Sequence, residues 1–97
     1  MFRHVVLLTW KPDTTDEQIE LVRSGLAELP ELVPGIRDYH FGDDAGLVPG
    51  NADFAVAADF DNADGYLAYR THPAHVDVIN NAINPIVAQR VAVQYEI

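Results

Sequence analysis

The chain has no cysteine, one tryptophan, one methionine and few cations: six Lys and Arg against fifteen Asp and Glu, for a formal charge of −9. Without cysteine there is no disulfide, no thiolate metal site and no thiol nucleophile; this also fits a cytoplasmic protein. The acidic balance disfavours phosphate backbones and anionic membranes, so neither nucleic acid nor a membrane is an expected partner. No apolar run approaches the roughly 18 residues that cross a bilayer. Repeats and low-complexity tracts are missing too. Gly42, Gly46 and Gly50 do not form a phosphate loop leading into a helix, and Asp43-Asp44 lacks calcium-loop spacing, leaving at most a loose cation contact.

The 97 residues are read as one domain, 1–97. The opening Met1–Trp10 carries one Arg, then Val5-Val6-Leu7-Leu8, with no small-residue cleavage site before Lys11-Pro12-Asp13. It reads as a first strand over 2–10 rather than a signal peptide. Thr14-Thr15-Asp16-Glu17-Gln18 offers two overlapping capping boxes, and Ile19, Val22, Leu26 and Leu29 recur at helical spacing. A helix is therefore predicted over 15–29, ended by Pro30 and Pro34-Gly35. Strands are predicted over 36–42 and 53–60, the latter with Phe54, Val56, Ala58 and Phe60 on one face. A short helix over 62–69, a longer one over 73–87 and a last strand through Val91, Val93, Tyr95 and Ile97 complete the pattern.

The order βαββαβ predicts an α+β, ferredoxin-like sandwich. Its helices cover only one face of the sheet. The first strand, however, is apolar on both faces, and the third carries Ala55 and Ala57 on its second face. A second copy packed sheet to sheet is the simplest cover, so a homodimer is expected.

Chemistry concentrates in Tyr69-Arg70-Thr71-His72-Pro73-Ala74-His75. Pro73 suits a first helical position, which makes His72 the cap and puts His75 in the first turn. Positive charge at the helix start disfavours imidazolium, so His75 is expected to stay neutral and able to act as a general base. Tyr69 is a candidate donor to a carbonyl or thioester oxygen, stabilising an enolate; Tyr66, one turn earlier, is its rival. The plain alternatives are a capping histidine packed on the sheet and a core tyrosine. His72 and His75, three apart, invite a metal reading, but the spacing fixes neither Asp77 nor His4 as the third ligand a metal needs; no metal and no cofactor is expected. His4 shares parity with Val6, Leu8 and Trp10, which places it under the helices near His75 if that face is the buried one. His40 reads as strand surface.

These stretches together resemble the stress-responsive A/B barrel (Dabb) family of dimeric α–β barrels. The resemblance is carried by His4-Val5-Val6-Leu7-Leu8, by the turn Pro34-Gly35-Ile36 and by Tyr69 with the His72-Pro73-Ala74-His75 signature, and it covers nearly the whole chain. It implies a dimeric barrel. Some plant members are cofactor-free polyketide cyclases that use a tyrosine and a histidine, and those positions match Tyr69 and His75 here. The resemblance further implies a pocket role for His4, and it sets Phe54 where those cyclases carry a second pocket histidine, so that Phe54 would line the substrate site with an apolar ring. The function this implies is binding of a small hydrophobic carbonyl compound, with enolate chemistry if the protein is an enzyme. The alternative is a non-catalytic, stress-associated dimer whose Tyr/His signature is structural. A haem-degrading or oxygenase relative on the same barrel is weaker, since no residue specifies a haem ligand.

Overall fold

In the computed structural model, which describes residues 1–97, the chain runs β1 (Phe2–Trp10), α1 (Asp16–Leu32), β2 (Asp38–Asp43), β3 (Phe54–Phe60), α2 (Ala63–Thr71), α3 (Pro73–Val78), a π-helical turn (Ile79–Ile83) and β4 (Val87–Glu96). The four strands form one sheet in the order β2-β3-β1-β4, every neighbouring pair antiparallel. This is the ferredoxin-like α+β arrangement expected from the pattern.

Thr15 caps α1 through a complete capping box with Gln18. The helix does not stop at Leu29. It runs through Pro30 to Leu32, because Leu29 and Val33, one turn apart, are both buried on the sheet. So close to the end of the helix, proline forfeits one hydrogen bond, and the buried stripe outweighs that loss. The second long helix predicted over 73–87 is likewise corrected. Regular α-helix ends at Val78, the next turn widens so that the Asn84 N–H donates to the Ile79 carbonyl at 2.8 Å, and β4 begins at Val87. The extra residue in that turn lets Ile83 and Ile86 both reach the core.

The core lies between the sheet and α1. Val6, Leu8, Trp10, Phe54, Val56, Ala58 and Phe60 meet Val22, Leu26, Leu29 and Val33. Burial of each large apolar side chain stabilises the fold by roughly 1.5–3 kcal/mol. The opposite face is uncovered. Leu7, Val91, Val93, Tyr95 and Ile97 stand there between 43 % and 55 % exposed. On that same side Arg3, in register with Asp59, grips its carboxylate with two bonds of 2.7 and 2.9 Å.

Candidate functional site

The Tyr69–His75 stretch is the joint between α2 and α3. His72 ends one helix and caps the next, its Nδ1 accepting from the Ala74 N–H at 3.1 Å. The chain then turns His75 back over α2, where its Nδ1 lies 3.1 Å from the Arg70 carbonyl oxygen. A carbonyl only accepts, so Nδ1 carries the hydrogen and Nε2 keeps a free lone pair. The His75 ring lies across the Tyr69 ring at 4.1 Å between centroids.

Beneath them is β1. His4 is 3 % exposed, and its ring is 6.2 Å from Tyr69 and 4.6 Å from Tyr66. The antiparallel register sets Gln94 opposite His4, and the Gln94 amide donates to His4 Nδ1 at 2.8 Å. This leaves the hydrogen of His4 on Nε2. From β2, Tyr39 brings its hydroxyl to 2.9 Å from that of Tyr69.

Together these groups enclose an inner cavity of about 50 Å³, walled by His4, Tyr69, His75 and Arg90 with Val6, Leu8, Leu26, Val56, Ile79 and Ile83. His75, Ile79 and Arg90 also line an outer cleft of about 430 Å³ with Arg70, Thr71 and Val76. The inner space holds a few heavy atoms; the outer one holds the body of a small molecule.

Burial is the first cause of every shift in this group. It pushes His4 down to about 4, helped by Arg90 and His75. It also lowers His75, partly opposed by the Arg70 carbonyl and reinforced by Arg90 and His72. Loss of water thus favours the neutral form of His75. Burial pushes Tyr69 up to about 12, against the hydrogen bond with Tyr39 and the nearby Arg90 charge, and raises Tyr39 as well. At neutral pH the site therefore holds two neutral imidazoles and two neutral phenols, and it can offer an O–H donor beside an unprotonated ring nitrogen.

Three of the four residues singled out from the sequence, Tyr69, His75 and His4, meet here. Phe54 does not join them. The β1–β3 register pairs it with Leu8, and it packs against Trp10 and Phe41 at 5.7 and 6.2 Å. The β3 residue at the cavity is Val56, two positions on. Tyr66 lies on an adjoining outer cleft with Leu67, Arg70 and Arg90. His40 is strand surface beside Asp38 at 3.0 Å. The carboxylates of Asp43 and Asp44 are already bonded, to Arg23 and to Gly46 and Asn51. No three His, Cys, Asp or Glu side chains are grouped as metal ligands.

Tyr39, Arg90 and Gln94 were not anticipated. The signal for Arg90 and Gln94 is the alternation in β4: with Val91, Val93 and Tyr95 turned to the uncovered face, they must point toward the helices; Tyr39, on β2, is marked only by its partner Tyr69.

Comparison with known proteins agrees with the fold. The family of the stress responsive A/B barrel domain matches residues 2–97. A dimeric ferredoxin-like protein from Thermobifida fusca is 44 % identical and superposes with a TM-score of 0.91 over 99 % of this chain and 90 % of its own. A second dimeric protein of ferredoxin-like fold, from Bacteroides fragilis, is 25 % identical, with a TM-score of 0.87 over 99 % of this chain and 95 % of its own. A stress-response A/B barrel domain-containing protein of Arabidopsis thaliana is 28 % identical over 79 residues, 78 % of this chain and 68 % of its own.

Proposed function

The chain belongs to the stress-responsive A/B barrel family, and from that premise we propose that it is a homodimeric, cofactor-free protein that binds a small carbonyl compound and converts it through an enolate. The observation that carries this reading is the pairing of a neutral phenol with an imidazole whose outer nitrogen is unprotonated, ring against ring at 4.1 Å beside a cavity.

In this reading Tyr39 donates to the Tyr69 oxygen, which frees the Tyr69 hydrogen for the substrate carbonyl. His75 Nε2 takes a proton from the adjacent carbon. The electron pair of that C–H bond becomes the enolate, whose oxygen is held by Tyr69. The enolate carbon then attacks a second carbonyl of the same molecule, whose C=O π pair becomes an alkoxide that takes the proton from His75 as the ring closes, or the enolate takes that proton at a different atom, giving an isomer. His4, oriented by Gln94, supplies a neutral N–H at the back of the cavity.

The dimer rests on the uncovered apolar face of the sheet and on the dimeric state of the two similar proteins. The cytoplasmic assignment rests on the missing cysteines; no helix is long and apolar enough to cross a membrane.

Turnover of a panel of β-dicarbonyl and β-polyketide thioester substrates by the purified protein tests the catalytic reading. Activity that His75→Ala leaves unchanged rules out the assignment of His75 as base. A second reading, a non-catalytic dimer whose signature shapes the helix joint, is favoured by the small inner cavity of about 50 Å³. It predicts that Tyr69→Phe and His75→Gln move the thermal midpoint while no substrate in the panel turns over.

A further inference from the structure

Positive charge is scarce in this protein, and most of it is spoken for. Arg3, Arg23 and Arg37 each hold a carboxylate, and Lys11 reaches the Pro85 carbonyl at 3.4 Å. The two remaining cations, Arg70 and Arg90, are in no ion pair, and they stand together on both outer clefts beside the Tyr69–His75 pair. Arg90 also reaches the inner cavity. Fifteen acids are distributed over the chain, yet neither these clefts nor the inner cavity is lined by one. The clefts elsewhere on the surface carry Asp43 with Asp44 or Asp53.

A solvated arginine on an acidic protein ordinarily has a carboxylate within reach. Two without one, from separate elements and lining two adjoining acid-free clefts, are free to meet an anion brought from outside. We infer that Arg70 and Arg90 form an anion subsite at the mouth of the cavity, and that the ligand is a small carbonyl compound bearing a carboxylate. This rests on the carbonyl reading above and names its substrate class. The planar guanidinium matches the two oxygens of a carboxylate. A phosphate dianion is matched as well in shape, but the overall charge of −9 repels it about twice as strongly. The inner cavity admits the carbonyl end, and the arginines at the rim hold the acid end in the cleft of about 430 Å³. Arg70 has a second part: its main-chain carbonyl fixes the His75 tautomer while its side chain faces the opening.

Affinities measured by NMR titration of the labelled full chain test this, with acetoacetate, its methyl ester and butyrate as probes against wild type, Arg70→Gln and Arg90→Gln. Acetoacetate is expected to bind at least tenfold tighter than the ester. Either substitution should remove most of that difference, weakening acid binding far more than ester binding. Arg90→Lys, which keeps the charge without the fork, should recover part of it. Equal binding of acid and ester, acid binding that survives both substitutions, or no binding of either acid would overturn the subsite. Displacement of acetoacetate by equimolar inorganic phosphate would overturn the choice of carboxylate. Butyrate binding as tightly as acetoacetate, with the same dependence on arginine, would uphold the subsite and remove the carbonyl reading.

Discussion

Tyr39 and Tyr69 face each other hydroxyl to hydroxyl at 2.9 Å, one half-buried on an edge strand and one buried at the helix joint. Two phenols in that position share one hydrogen bond and leave one hydrogen over. Tyr69 lines the cavity and Tyr39 does not, so with Tyr39 as donor the spare hydrogen is the one on Tyr69, available to whatever occupies the cavity.

Removing the outer hydroxyl tests this relay. Tyr39→Phe is expected to lower kcat about tenfold, the worth of one neutral hydrogen bond, with KM little changed. A stability cost of about 1 kcal/mol accompanies it. Tyr69→Phe removes the donor itself and should lower kcat about a hundredfold. Steady-state kinetics on both variants separate the two roles: equal losses would contradict the order Tyr39, Tyr69, substrate.

The base should show itself in the pH profile. Burial lowers the pKa of His75 from its ordinary value of 6.5, so the unprotonated form dominates at pH 7. The rate at low substrate concentration is expected to be flat around neutrality and to fall on the acid side, with a midpoint below 6.5. A midpoint above 6.5 would mean that another group limits the reaction.

His4 makes stability depend on pH. It holds a proton below about 4 in the folded protein and below 6.5 in the unfolded chain. Between those values the unfolded state binds more protons, so stability rises with pH. The contribution, on the order of 3 kcal/mol, is complete above pH 6.5 and disappears as the pH falls to about 4. Denaturant unfolding of wild type and His4→Gln from pH 4 to 7 measures it. The slope should be shallower in the variant; identical slopes would refute the assignment.

The bare face of the sheet should be the dimer interface. Val93 is 55 % exposed there, opposite Val5 across the β1–β4 pair. Val93→Lys adds a charge that sheet-to-sheet packing would have to bury, and analytical ultracentrifugation should find the wild type dimeric and the variant at 10.7 kDa. A wild type that sediments as a monomer contradicts this interface.

Local patterns carried much of this fold into view: the capping box at Thr15, the alternation in β3 and Pro73 at a helix start. What stayed hidden depended on distant partners. Ile83 and Ile86 suit a continuing helix as readily as a π-turn, and only their shared burial decides between them. The same holds for α1 passing Pro30 to keep Leu29 and Val33 on the sheet. Phe54 and Val56 share a face of β3, and which of them reaches the cavity depends on the β1–β3 register. Arg90 and Gln94 face the helices because the apolar row of β4 lies on the uncovered side.

The central claim is that His75 removes a proton from carbon next to a carbonyl. Deuterium incorporation at the α-carbon of a β-keto ester in D2O, followed by proton NMR with and without protein, measures that step without requiring the natural substrate. Exchange well above the buffer background in wild type, lost in His75→Ala and reduced in Tyr69→Phe, is the predicted result. Exchange no faster than buffer, or as fast in His75→Ala as in wild type, would contradict it.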